Sequence, residues 1–180
     1  VDRRWRQNLH IEAPEGWLND PNGLCYFDGL YHVYFQYSPG TPDGSALRCW
    51  GHFESIDEGK SWDYTGVVVK PDIPEDKTGV FSGSAVISDG VIHLFYTGNV
   101  EHEGDYDYVT SGREANQLHV TTTDGHNVSP KKVILRNSDY PDYCSCHVRD
   151  PKVWIKNGIW KMVLGARTRD DKGCVLFYED

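Results

Sequence analysis

Apolar and polar residues alternate along this chain in short runs, and three of those runs read alike. They are Asp28-Gly29-Leu30-Tyr31-His32-Val33-Tyr34-Phe35, Asp89-Gly90-Val91-Ile92-His93-Leu94-Phe95-Tyr96 and Asn157-Gly158-Ile159-Trp160-Lys161-Met162-Val163-Leu164. Each opens on a dipeptide that favours the two-residue type I′ turn, whose positive φ angles match the twist of antiparallel strands. The turn glycines stand 61 and then 68 residues apart. A second set of turns, Asp57-Glu58-Gly59 and Asp124-Gly125, falls late in the first two repeats. The pattern predicts strands over 22–28, 30–37, 50–56 and 61–69, then 80–88, 91–97, 116–123 and 132–135, then 151–156, 159–165 and 173–178. No window carries an amphipathic helix.

Four-stranded antiparallel units at this spacing are how a β-propeller is built; a β-sandwich of hairpins is the alternative. The expected fold is all-β, a partial propeller of about two and three-quarter blades, spanning about 17–70, 79–136 and, incompletely, 147–180. Composition agrees: 13% aromatics, 18 Gly, 9 Pro and a single Met suit short strands and turns. The formal charge of −9 argues against nucleic acid as the main partner. No apolar stretch approaches the ~18 residues of a membrane span, and no signal-peptide pattern opens the sequence, so a soluble, non-membrane protein is expected. Five scattered cysteines suit a reducing, cytoplasmic setting. Cys144-Ser145-Cys146-His147 lacks a second Cys/His pair at zinc spacing, so neither metal nor cofactor is expected. The chain starts at Val1 and stops after an apolar run, which reads as a piece of a longer protein.

A polar cluster precedes the expected first strand of each repeat: Trp17-Leu18-Asn19-Asp20-Pro21-Asn22-Gly23, Gly79-Val80-Phe81-Ser82-Gly83-Ser84 and His147-Val148-Arg149-Asp150-Pro151-Lys152. Asp20 precedes its turn glycine by nine residues, and Ser82 and Asp150 precede theirs by eight. Equivalent positions of a radial repeat surround one axis, so Asp20, Ser82 and Asp150 are expected at one mouth of the channel. Asp-Pro also starts strands for purely local reasons. Two such pairs at matched positions, with tryptophan, asparagine and arginine beside them, favour a site. Paired carboxylates in a polar and aromatic pocket are the equipment of glycoside hydrolysis.

These segments, with Phe95-Tyr96-Thr97-Gly98-Asn99, resemble glycoside hydrolase family 32, the β-fructofuranosidases that include invertases and sucrose-6-phosphate hydrolases. The resemblance covers nearly the whole chain. It implies the N-terminal part of a five-bladed propeller catalytic domain acting on a fructose-containing sugar, sucrose or sucrose 6-phosphate, by a retaining double displacement. Carried over motif by motif, it makes Asp20 the nucleophile and Asp150 the transition-state stabiliser. It also makes Trp17, Asn19, Gln36, Trp50, Phe81, Ser82 and Arg149 fructose-lining residues, the two tryptophans as aromatic walls.

The chain departs from the family in two places. The family's acid/base comes from a Glu-Cys motif beyond the third blade, and no Glu-Cys pair occurs here, so the 180 residues alone are expected to be nearly inert. The segment before Trp50, Asp43-Gly44-Ser45-Ala46-Leu47-Arg48-Cys49, lacks the family's tryptophan and histidine. Arg48 there would suit a phosphorylated sugar or simply be solvated. A non-catalytic carbohydrate-binding propeller and a fructosyltransferase are the competing functions. Self-association, or association with the remainder of the propeller, is expected from an open third blade.

Overall fold

The computed structural model describes residues 4–7 and 9–180. Three antiparallel sheets follow one another along the chain. The first orders β1 (Trp17–Phe27), β2 (Leu30–Ser38), β3 (Cys49–Ser55) and β4 (Asp63–Val69). The second orders β5 (Gly79–Ser88), β6 (Val91–Glu101), β7 (Arg113–Thr122) and β8 (Lys132–Leu135), and the third β9 (Cys144–Lys156), β10 (Ile159–Thr168) and β11 (Gly173–Glu179). Only two short 3-10 turns, Pro74–Asp76 and Asn137–Asp139, interrupt the β structure of the described residues. Among the described residues, no helix is long and apolar enough to cross a membrane.

The hairpin dipeptides behave as their chemistry requires. Both central residues of each first turn are left-handed: Asp28 and Gly29 at φ 48° and 83°, Asp89 and Gly90 at 51° and 74°, Asn157 and Gly158 at 56° and 79°. That is the type I′ geometry.

The sheets stack face to face as propeller blades. Tyr34, Trp50, Val69, Val80, Leu94, Tyr96 and Leu118 fill the space between the first and second sheets; Phe95, Tyr140, Val148, Val153 and Leu164 fill that between the second and third. The first strands pack on one another, β1 on β5 and β5 on β9, so they form the inner wall. Between the first two blades, Asp76 is fully buried, yet it accepts bonds from Tyr96 OH (3.0 Å), Lys131 Nζ (2.5 Å) and the amides of Asp72 and Ile73 (both 3.1 Å). A buried carboxylate is tolerable only with such compensation.

The polar clusters lie inside the first strands rather than before them. β1 begins at Trp17 and β9 at Cys144 because the strands bulge through these segments instead of starting after them. In β1 Asn19 and Asp20 together oppose Gln36, in β5 Phe81 and Ser82 oppose Thr97, and in β9 Asp150 and Pro151 oppose Leu164. A bulge leaves the ladder locally unpaired and re-aims a side chain, which also accommodates a proline with no N–H to donate. A second irregularity in β1, at Gly23 and Leu24 opposite Val33, accounts for the nine-residue offset of Asp20 against eight in the other blades.

Candidate active site

Asp20 is fixed from the neighbouring blade. Ser82 Oγ donates to Asp20 Oδ2 at 2.6 Å, a bond between the bulges of β1 and β5. Asn22, buried behind them, donates from Nδ2 to Asp20 O and accepts Gly83 N at Oδ1, each at 3.0 Å. Gly83 is required here, because a Cβ at that position would lie 1.9 Å from Phe95 O. Asn19 is exposed beside Asp20 and approaches the buried Gln36 Oε1 at 3.5 Å.

Asp150 is held through its backbone. It sits at φ 63°, a left-handed conformation that aspartate tolerates better than most residues. Its N–H donates to Thr97 Oγ1 at 3.0 Å, and Thr97 donates in turn to Gln117 Oε1 at 2.9 Å. The Gln117 amide donates to Val148 O (3.0 Å) and Tyr140 OH (2.9 Å), and Tyr140 donates to Ala115 O (2.8 Å). Every member of this buried chain is satisfied, which is the condition under which a polar network rigidifies a site. Ser84 pins the other flank, donating to Pro151 O at 2.7 Å and accepting Val153 N at 3.0 Å.

The two carboxylates are electrostatically coupled. The Asp150 carboxyl lies above the ordinary aspartate value: enclosure by the surrounding protein is the main cause, Arg149 opposes it, and the Asp20 carboxylate raises it further. Arg149 Nε lies 3.6 Å from Asp150 Oδ2, with both side chains about half open to solvent. Like charges in one site raise a carboxyl pKa, and a guanidinium beside it restores the ionised form.

The remaining expected residues divide. Phe81 lies next to Ser82 in the β5 bulge, and Trp17 packs against Gly44 of the β2–β3 connection at the start of β1. Trp50 has no exposed surface; its indole Nε1 donates to Phe81 O at 2.9 Å from within the core. It therefore supports Phe81 from behind instead of forming a wall facing a sugar. Thr97, Gln117 and Asn22 were absent from the expected set. Asn22 and Thr97 stand within the motif segments that carry the resemblance, while the sign of Gln117 is polarity at a strand position that faces the core.

His32, His52 and Glu54 bring potential ligand atoms within 4.8 Å of one another. Hydrogen bonding satisfies the two rings in their neutral form, whereas Glu54 Oε2 is buried without a hydrogen-bond partner and faces His126 Nε2 at 3.2 Å. Thr65 lies 2.6 Å from His52 Nδ1, His52 Nε2 lies 3.0 Å from His32 Nδ1, and His32 Nε2 lies 3.3 Å from Phe27 O. A proton on the first atom of each pair but the last, and on His32 Nε2, completes a head-to-tail chain. Burial pushes His52 down to about 3, in keeping with a neutral ring. The second blade repeats the pair as His93 and His119, also at 3.0 Å, so the motif belongs to the blade architecture. An apolar cavity of about 440 Å³ between the second and third blades, lined by Phe95, Leu135, Trp160 and Tyr178 among others, shares no residue with the Asp20 and Asp150 cluster.

Residues 10–180 match the model of the glycosyl hydrolases family 32 N-terminal domain. Sucrose-6-phosphate hydrolase of Bacillus subtilis (strain 168) is 42% identical over 176 residues, covering 97% of this chain and 34% of that protein. Among solved structures, sucrose-6-phosphate hydrolase from Lactobacillus gasseri superposes with a TM-score of 0.84 at 31% identity, over 98% of this chain and 34% of the other. A variant of the Bombyx mori β-fructofuranosidase in complex with sucrose superposes with a TM-score of 0.78 at 29% identity, over 100% of this chain and 36% of the other. The chain thus spans about a third of the length of these relatives.

Proposed function

The chain belongs to glycosyl hydrolase family 32, and from that premise we propose that the protein of which these residues form part hydrolyses β-D-fructofuranosides, sucrose or sucrose 6-phosphate, with retention of configuration. The observation that carries this reading is the Ser82-held Asp20 carboxylate, coupled across the site to Asp150 and its Arg149. Asp20 attacks the anomeric carbon of the fructosyl unit. The bond from Ser82 holds Oδ2, and among the described residues Oδ1 accepts no hydrogen bond, so it remains available for the attack. Asp150 stabilises the oxocarbenium-like transition state through fructose hydroxyls, with Arg149 keeping it ionised. Trp17, Asn19, Gln36, Phe81 and Ser82 line the fructosyl pocket, and Trp50 positions Phe81.

The proton donor for the leaving sugar lies outside these 180 residues, in the remaining blades of a five-bladed propeller. The match to about a third of each relative supports that placement. The five free cysteines support a reducing, cytoplasmic location. Fructose release from sucrose and from sucrose 6-phosphate by the full-length protein, compared with its Asp20→Ala variant, tests the reading. Loss of release with retained fold supports the nucleophile, whereas release at the parent rate from Asp20→Ala would falsify it.

A further inference from the structure

The pair His32 and His52 recurs in the second blade as His93 and His119, but the residues around the two pairs differ. Glu54 stands opposite His32 across the sheet, and Thr121 holds the matching place opposite His93. The first blade therefore adds a carboxylate to its two imidazoles, with ligand atoms of all three within 4.8 Å of one another. Repetition of the blade explains the paired rings but not the carboxylate, whose Oε2 is buried without a hydrogen-bond partner. That oxygen faces His126 Nε2 at 3.2 Å, on the connection between β7 and β8 of the second blade. Three imidazoles and a carboxylate thus gather where two blades touch.

The turn that carries His126 is locked onto the pair. Asp124 Oδ1 accepts the amides of His126 (2.9 Å) and Asn127 (2.8 Å), and Gly125 O accepts Tyr34 OH from the first blade at 3.0 Å. A Cβ on Gly125 would lie 2.7 Å from His32 Cε1, so the turn touches the ring. The outer nitrogen of each ring is also held. Phe27 O can only accept, so neutral His32 carries its proton on Nε2 and presents a lone pair at Nδ1. Thr65 Oγ1 stands 2.6 Å from His52 Nδ1 and 3.3 Å from His52 O. With the Thr65 hydroxyl turned to that carbonyl, Oγ1 accepts from Nδ1–H, and His52 Nε2 presents a second lone pair 3.0 Å from the first. This exchange needs no net proton, only the other tautomer of His52. Imidazoles whose outward N–H is tied to oxygen while the inner nitrogens converge have the arrangement of metal ligands. The separation is close to the ~3.3 Å that two zinc–nitrogen bonds of about 2.0 Å subtend at a tetrahedral angle.

We propose that His32, His52, Glu54 and His126 form a structural zinc site that clips the first blade to the second. Four protein ligands without an open position are the mark of a structural rather than a catalytic zinc, and an imidazole-rich donor set selects zinc over calcium or magnesium. The cation would neutralise the orphaned Glu54 oxygen and replace the proton shared between the rings. The site contains neither Asp20 nor Asp150 and does not depend on the β-fructofuranosidase reading. Local Cys and His spacing does not reveal it, because its ligands come from β2, β3 and the distant connection between β7 and β8.

The test uses the full-length protein, freed of metal with a chelator and dialysed, with zinc alone as the probe. Isothermal titration calorimetry and thermal unfolding compare the parent with Glu54→Gln, His126→Ala and, in the second-blade pair, His93→Asn. The Glu54 and His126 side chains are 25% and 37% exposed, so these two variants keep the fold where a change at buried His52 could lose it. The parent is expected to take up zinc at this site and to melt at a higher temperature with it than without it. Glu54→Gln and His126→Ala are each expected to weaken that binding at least roughly 10-fold, no less than the loss of an outer-shell partner costs, and to lose the rise in Tm. His93→Asn keeps both. A parent without saturable zinc binding overturns the proposal, as does an affinity unchanged in Glu54→Gln or in His126→Ala. Loss of binding in His93→Asn alone also overturns it, by moving the zinc to the second blade.

Discussion

Ser82 donates its hydroxyl to Asp20 Oδ2 at 2.6 Å, and the two residues stand on the first strands of adjacent blades. The carboxylate of Asp20, the proposed nucleophile, is thus held across the blade interface. In the full-length enzyme, Ser82→Ala is expected to lower kcat roughly 10- to 100-fold, the worth of a bond to a charged acceptor, with circular dichroism unchanged. Steady-state kinetics on sucrose measures this, and parent-level kcat would count against orientation by Ser82.

The turns were legible because they rest on local chemistry, and the meeting of Asp20 with Ser82 because the two stand at matched positions of the repeat. Asp28-Gly29, Asp89-Gly90 and Asn157-Gly158 announce type I′ turns, and every expected strand is present, although β1 and β9 begin at Trp17 and Cys144, well before their expected starts at 22 and 151. The bulges were not legible. Placing Asn19 and Asp20 opposite Gln36 alone depends on cross-strand register, and no residue type marks it uniquely. Trp50 misled for a related reason: a tryptophan beside a site can face the ligand or brace the residue that does, and only its donation to Phe81 O separates the two. The chain from Thr97 through Gln117 to Tyr140 connects residues distant in sequence, so nothing local reveals it.

Asp150 has a raised pKa, caused first by enclosure, and Asp20 adds to it while Arg149 opposes it. Removing the Asp20 charge must therefore lower the Asp150 pKa, and removing Arg149 must raise it. Carbon-13 NMR titration of the Asp150 carboxyl in Asp20→Asn checks the first shift. The acidic limb of the kcat/KM profile of Arg149→Met, expected at higher pH than in the parent, checks the second. No change in either would separate the carboxylates functionally.

Burial lowers His52 to about 3 and His119 to about 4, below the ordinary histidine value of 6.5. The unfolded chain takes up these protons first as pH falls. Stability from this source is therefore complete above about pH 6.5 and declines between there and about pH 4, by about 1.4 kcal/mol per pH unit for each proton. Urea unfolding of the full-length protein at several pH values should show that decline, and His52→Asn should flatten it.

Asp76 is fully buried, and Lys131, which pairs with it at 2.5 Å, has a side chain only 6% exposed. Asp76→Ala leaves that ammonium, Tyr96 OH and two amides without their acceptor. Removing one partner of a buried pair costs about 3–5 kcal/mol, and the low end applies because Lys131 retains Asp72 at 2.5 Å. Urea midpoints should fall accordingly, while Asp76→Asn, which keeps an acceptor oxygen, should lose less.

The 180-residue chain produced alone is expected to associate and to release little fructose. β11 pairs with β10 on one side only, so its other edge presents unpaired backbone groups to any strand that approaches. On its outer face Val175 is 68% and Phe177 53% exposed, and Trp154 packs beside Phe177 at 6.2 Å between ring centroids, which makes an apolar patch next to that edge. Light scattering over a concentration series should show mass rising above that of one copy, and Val175→Lys with Phe177→Lys should suppress the rise by charging the patch. Fructose release should be weak regardless of association, because general acid assistance worth roughly 10²–10⁴-fold is missing while Asp20 and Asp150 remain in place. A monodisperse monomer at all concentrations would refute the association, and robust turnover would locate a proton donor among these residues.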